Sequence, residues 1–299
     1  MIGFNLKKAK RHFMEMLAEQ FPQREAEQLM RILLEDLFGI DLKRQLMEPR
    51  MRLDEPQYAQ LDNAVKRLLE GVPVQYVTGK AWFDGLLFHV DESVLIPRPE
   101  TEELVQLVAE EQVPKMEGLS SGDPLRIWDV GTGSGCIAVA LAKRFPLAEV
   151  KAFDVSERAL ATASCNAEYN KVQVDFICDD VLHPQSEVWQ QPVDLVVSNP
   201  PYIRESEKAI MERNVLDHEP HSALFVPDDD PLVFYRQILT LVKPQLTPRG
   251  SVWFEINEAL REEMIQLCHE MDFKGEIHLD FFGKPRFLRI LASNGYLKE

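Results

Sequence analysis

After the apolar run Asp194-Leu195-Val196-Val197-Ser198 the chain reads Asn199-Pro200-Pro201-Tyr202. Two consecutive prolines stiffen the backbone and remove two N–H donors, so carbonyls and the Asn199 side chain are turned outward as acceptors. Tyr202 supplies an aromatic face beside them. Taken alone, the tetrapeptide reads equally well as a strand-ending turn with a core tyrosine.

Two further groups precede it. Asp129-Val130-Gly131-Thr132-Gly133-Ser134-Gly135 follows a predicted strand at 126–130 and opens a predicted helix. Its glycines allow a tight turn and let a ligand lie against bare backbone. The dinucleotide fingerprint G-x-G-x-x-G needs Gly or Ala at position 136, where Cys136 stands. Asp154 ends the next predicted strand, where a carboxylate can accept both hydroxyls of a ribose. That acid suits NAD and S-adenosylmethionine alike, and it could instead cap the following helix.

Other constellations are weaker. His218-Glu219-Pro220-His221 offers two imidazoles, but Pro220 breaks any helix and no third ligand is near in sequence, so no metal site is expected. Cys136 reads as a small residue packing a helix start rather than a nucleophile. Neither a P-loop nor a G-x-S-x-G elbow occurs. Asp228-Asp229-Asp230 reads as a solvated loop. Arg98 is open between a substrate contact and a surface charge, while Glu100 and Glu102 suit the first turn of a helix.

The elements that must position these residues follow from apolar periodicity. Strands are predicted at 126–130, 149–153, 173–178, 193–198 and 250–256, with helices near 135–144, 157–169, 232–242 and 259–271. This alternation argues for a parallel sheet covered on both faces, which binds ligands beyond the carboxyl ends of its strands. Upstream, Leu6–Gln20, Glu25–Phe38 and Tyr58–Leu69 carry apolar residues at helical spacing and form a helical bundle. Asp84-Gly85 between apolar runs signals a β-hairpin. The domains are expected at 1–72, 73–98 (the hairpin linker) and 99–299.

The 299 residues are 45% hydrophobic and 27% charged, an ordinary globular composition that excludes collagen-like, disordered and coiled-coil classes. Nothing reads as a secretory signal or membrane span, and four scattered cysteines suit a reducing cytosol, so a cytoplasmic protein is expected. Residues 1–88 hold 13 basic and 13 acidic residues, so the whole net charge of −16 lies downstream. Such a field disfavours non-specific nucleic-acid binding and favours a partner with a positive surface.

In order, DVGTGSG, FDVS, CDDV and VVSNPPY resemble a class I S-adenosylmethionine-dependent methyltransferase acting on a planar nitrogen, a pattern shared by N6-adenine and N5-glutamine enzymes. Gly71–Gly79 (GVPVQYVTG), Leu95–Glu102 (LIPRPETE) and Glu219-Pro220 with Ala223-Leu224 are similar to the PrmC/HemK family, the glutamine methyltransferases of peptide chain release factors. The resemblance runs from about residue 22 to about 290. It implies an α/β fold: a Rossmann-like seven-stranded sheet with one antiparallel strand near the C-terminus, a small N-terminal helical bundle and a hairpin linker. It implies that Gly131, Thr132, Gly133, Ser134 and Gly135 pass along the methionine part of S-adenosylmethionine. Asp154 would take the ribose, Asp180 and Val181 would flank the adenine, and Asn199 would also border the cofactor. Asn199, Pro200, Pro201 and Tyr202 would hold the substrate glutamine, with Asn199 and Pro200 as the catalytic pair. The implied substrate is the Gly-Gly-Gln loop of class 1 release factors. A monomer is expected, with neither stable nucleic-acid nor membrane binding. The alternatives are an adenine-N6 methyltransferase of RNA or DNA, a ribosomal-protein glutamine methyltransferase, or a silent cofactor-binding module. Asn257 stands where the family pattern has glycine, which questions the local loop geometry.

Overall fold

The computed structural model describes residues 3–117, 124–211 and 213–292. The chain forms two compact units, one of Met1–Lys80 with Glu212–His218 and the other of Ala81–Met211 with Glu219–Glu299.

The first unit is helical: Leu6–Leu17, Gln23–Phe38, Leu42–Met47, Glu55–Leu69 and Val74–Thr78. Asn5 caps the first helix through its side chain, and Asp54 with Gln57 forms a capping box at the fourth. Gly39 ends the second helix at φ +62°, a left-handed conformation that favours glycine. Phe13, Leu17, Met30, Leu33, Leu61 and Val65 are fully buried in one apolar core. The expected faces are therefore present, although Leu29 and Leu37 are only half-buried at the core's margin and Ile32 is half-buried as well. The short helices Leu42–Met47 and Val74–Thr78 escaped the periodicity, being too brief to show one.

A hairpin that lies in the second unit from Ala81 onward pairs Lys80–Phe83 with Leu86–His89 across a turn in which Asp84 and Gly85 both have positive φ. Phe83 and Phe88 meet edge-on in the core of this unit. That burial puts the hairpin with the second unit, so the division falls at Lys80/Ala81, inside the expected linker 73–98. Helix Arg213–His218, inside the expected domain 99–299, groups with the first unit, where the His218 ring lies 3.8 Å from a Cβ built on Gly71. Residues 118–123, Glu212 and 293–299 of that expected domain lie outside the described residues.

The main sheet has seven strands: β1 Arg126–Val130, β2 Glu149–Asp154, β3 Asp175–Cys178, β4 Val193–Ser198, β5 Leu246–Glu255, β6 Phe273–Leu279 and β7 Pro285–Ala292. Their spatial order is β6-β7-β5-β4-β1-β2-β3, with β7 antiparallel to both neighbours and the pairs from β5 to β3 parallel. This is the seven-stranded class I arrangement with one reversed strand. Side chains alternate between two buried faces: Ile127, Leu195, Val197 and Trp253 enter one core, and Trp128, Val196, Val252 and Phe254 the other. Burial on both faces is what a parallel sheet under two helical layers requires. β6 had no clear signal in the periodicity, because exposed Lys274 and half-buried Glu276 and His278 dilute the apolar run.

Because β1 to β4 run parallel, their carboxyl ends Val130, Asp154, Cys178 and Ser198 lie along one edge. The loops leaving that edge carry the residues singled out from the sequence.

Candidate active site

The glycine loop turns directly out of β1. Gly131 and Thr132 both donate backbone N–H bonds to the Phe153 carbonyl, at 2.8 and 2.9 Å, which ties the loop across to β2. Gly131, Gly133 and Gly135 have φ of +75°, +54° and +81°. A Cβ on Gly131 or Gly133 would meet no atom within 4 Å, so bare backbone faces outward there. A Cβ on Gly135 would instead lie 2.9 Å from the Ala163 Cβ, so this glycine is required by packing against helix Glu157–Asn170.

Asp129 is fully buried beneath the loop. One carboxylate oxygen accepts from Thr132 Oγ1 at 2.6 Å and from the Ala138 N–H at 3.1 Å, while the other has no hydrogen-bond partner among the described residues. Burial pushes its pKa up to about 7, against the pull of those two bonds. Cys136 is buried too, and desolvation lifts its thiol to about 12, which excludes a thiolate nucleophile at neutral pH.

Asp154 sits at the end of β2 and accepts N–H bonds from Gly133 and Ser156, each at 2.9 Å. It is not the helix cap, because Ser156 fills that place by accepting from the Ala159 N–H. Desolvation raises the Asp154 pKa, opposed by backbone hydrogen bonds from Ser156, Gly133 and Val155. After β3 two neighbouring acids have different environments. Asp179 is buried and accepts from Trp189 Nε1 and the Gln185 and Ser186 N–H groups, a locked structural role. Asp180 is half-exposed and meets the Leu182 N–H and the His183 ring, leaving lone pairs free, and Val181 beside it packs on the sheet core.

At the end of β4, Ser198 donates to the Val130 carbonyl at 2.6 Å, which fixes the spacing between this corner and the glycine loop. Asn199 Nδ2 donates to Thr101 Oγ1 at 3.0 Å, Thr101 donates to Glu255 at 2.6 Å, and the Tyr202 hydroxyl donates to the same carboxylate at 2.9 Å. Glu255 is buried at the end of β5, and desolvation raises its pKa against the hydrogen bonds of Thr101 and Tyr202. Asn257 has φ −67°, an ordinary conformation needing no glycine. Its Oδ1 accepts from Ala259, and its Nδ2 donates to the Tyr202 carbonyl at 3.3 Å.

Arg98 Nη2 donates to both carboxylate oxygens of Glu219, at 2.6 and 2.7 Å, so the proline-arginine segment and the Glu219-Pro220 turn are joined. Asp228 accepts from Ser206 and Asp230 pairs with Arg236, which makes the triple-aspartate segment a tethered loop. Among the described residues no group of three or more His, Cys, Asp or Glu is placed to hold a metal, and no helix is long and apolar enough to cross a membrane.

Sequence reasoning assigned no role to Thr101, Glu255 or Asn166. Thr101 and Glu255 lay inside recognised segments, but only the fold brings them together. Asn166, buried on helix Glu157–Asn170, donates to the carbonyls of His89 and Ser134 and accepts from the His89 N–H, stitching the hairpin to the glycine loop. A single polar residue in a helical stretch gives no such signal.

Comparison with known proteins identifies the family. The PrmC N-terminal domain family matches residues 8–79, and the methyltransferase small domain family matches residues 116–219. A release factor glutamine methyltransferase of Flavobacterium psychrophilum is 42% identical over 95% of this chain and 98% of its own length. One of Bacteroides thetaiotaomicron is 42% identical over 92% and 95%. Among solved structures, the catalytic domain of hMettl16 aligns with a TM-score of 0.53 at 13% identity, over 82% of this chain and 84% of that one, a likeness of fold alone.

Proposed function

The chain belongs to the release factor glutamine methyltransferase family, and from that membership we propose that it methylates the N5 amide nitrogen of the glutamine in the Gly-Gly-Gln loop of class 1 peptide chain release factors. S-adenosylmethionine is the methyl donor. What carries the reading is the convergence at one sheet edge of the open glycine loop, Asp154, Asp180 and the Asn199–Tyr202 corner.

The residues present suit that donor. Gly131 to Gly135 offer backbone with no side chain in the way, for the methionine portion. Asp154 retains acceptor capacity for the ribose, and Asp180 with Val181 offers a polar and an apolar group for the adenine. When bound, S-adenosylmethionine supplies a methyl group on a sulfonium, already activated for in-line displacement.

The remaining work falls to the chain's own residues. An amide nitrogen delocalises its lone pair into the carbonyl and is a poor nucleophile. Asn199 Oδ1 and the Pro200 carbonyl each accept one of its N–H bonds, which aims the nitrogen, while Pro201 and Tyr202 wall the flat group. Positioning of this kind contributes up to about 7–11 kcal/mol, and the same acceptors stabilise the nitrogen as it becomes cationic. The methylated nitrogen is acidic and loses its proton to water, so no dedicated base is needed.

The acidic second unit suits a basic partner surface, and the charge argues against a stable complex with nucleic acid. We further propose a cytoplasmic monomer. Transfer of radiolabelled methyl to purified release factors, beside Gln→Ala loop variants and a nucleic-acid control, tests the reading. Label on intact release factor alone supports it, and label on nucleic acid refutes it.

A further inference from the structure

The Asn199 carboxamide is nearly symmetric in shape, yet only one of its two ends can accept an N–H bond. Turned by half a revolution it would point N–H donors at a substrate amide and repel it. The hydrogen-bond chain behind Asn199 has the polarity that prevents this. A carboxylate only accepts, so Glu255 takes the Thr101 hydroxyl proton at 2.6 Å. The Thr101 lone pairs then face Asn199 and are met by its Nδ2–H at 3.0 Å. Asn199 Oδ1 is left as the outward acceptor. Tyr202 donates to the other Glu255 oxygen at 2.9 Å, so both ends of the carboxylate are engaged by hydroxyls.

We infer that Thr101 and Glu255 are positioning residues whose hydrogen-bond relay holds the oxygen of Asn199 toward the substrate amide, an inference that rests on the reading of Asn199 as the holder of that amide. The relay joins three separate segments: the first turn of helix Pro99–Glu117, the end of β5 and the corner after β4. Thr101 is 3% exposed and Glu255 1%. Burying a carboxylate there is costly, and an apolar cluster would pack the same space more cheaply. Direction is what the polar chain adds.

Replacing Glu255 with glutamine makes a sharp test. The Tyr202 hydroxyl still needs an acceptor, so the new amide turns its oxygen to Tyr202 and its NH2 to Thr101. Thr101 then donates onward to Asn199 Oδ1, and the relay is reversed. Thr101→Val breaks the relay at similar volume, and Thr101→Ser keeps it.

The experiment measures kcat and KM with a release factor, the Kd for S-adenosylmethionine by calorimetry, and the Asn199 side-chain NH2 resonances by 15N NMR in the free protein. Thr101→Val and Glu255→Gln are each expected to lower kcat by roughly 10- to 100-fold, with cofactor Kd unchanged. Thr101→Ser is expected to recover most of the rate. In wild type and Thr101→Ser one Asn199 amide proton should exchange slowly, and in Thr101→Val neither should. Full kcat in Thr101→Val, a serine variant no better than valine, or unaltered Asn199 proton exchange overturns the relay. Should Thr101→Val not fold, Glu255→Gln decides alone, and wild-type kcat in it is equally fatal. If wild type leaves release factors unmethylated, the substrate reading falls, while the Asn199 resonances still judge the relay.

Discussion

Asp129 lends itself to a quantitative test because it is fully buried and its ionisation is displaced far from that of an exposed carboxylate. Its pKa in the fold is about 7, against 3.8 for the free side chain. Between those values the folded state holds a proton that the unfolded state has lost, so stability must fall as pH rises through the window. A displacement of about 3 units corresponds to about 4 kcal/mol in full, of which roughly 2–3 kcal/mol is lost between about pH 5 and pH 8. Asp129→Asn is the clean perturbation. Both hydrogen bonds, from Thr132 and Ala138, end on the same oxygen, which the amide oxygen can replace, and the NH2 takes the place of the unpartnered oxygen. Urea denaturation of wild type and variant across this pH range gives the difference in stability. Glu255 has a raised pKa as well, but it is common to both proteins and cancels, whereas the charge of Asp154 is part of what raises Asp129 and belongs to the difference measured. The variant is expected to gain on wild type by about 2–3 kcal/mol from pH 5 to pH 8. Parallel stability curves would refute the assignment of a displaced, buried carboxylate beneath the glycine loop.

Four further outcomes follow from the site. Asn199→Ala should abolish methyl transfer while leaving the cofactor Kd, measured by calorimetry, within a few-fold of wild type. Gly135→Ala forces a left-handed conformation and a 2.9 Å contact with Ala163. It should cost about 2–4 kcal/mol in denaturant titration. In the folded protein a maleimide should label exposed Cys165 and Cys178 and spare buried Cys136, whose thiol is raised to about 12, as peptide mapping would reveal. Affinity for release factor should weaken as salt rises, because the partner meets an acidic unit; salt-insensitive binding would count against that charge argument.

Much of the site was legible because its parts are contiguous in sequence. The strand, glycine loop and helix at 126–144 and the corner at 199–202 each carry their own local signal, and parallel pairing then places their ends together. Asp154 illustrates the limit of that reasoning: sequence left it between ligand and helix cap, and only the Ser156 side chain on the Ala159 N–H decided against the cap. The Arg98–Glu219 pair and the Glu255–Thr101–Asn199 chain span 121, 154 and 98 residues, so no local pattern could announce them. Asn257 shows the reverse. A departure from the family's glycine looked disruptive, but at negative φ the side chain simply caps a turn and supports Tyr202. The division between units also lay beyond composition, because it depends on where Phe83 and Phe88 are buried.

The most direct test is where the methyl group arrives. Release factor incubated with enzyme and S-adenosylmethionine, digested and sequenced by tandem mass spectrometry, should carry one methyl on the side-chain nitrogen of the Gly-Gly-Gln glutamine, absent when Asn199→Ala replaces wild type. A methyl on any other residue, or an unmodified glutamine with active enzyme, would contradict it.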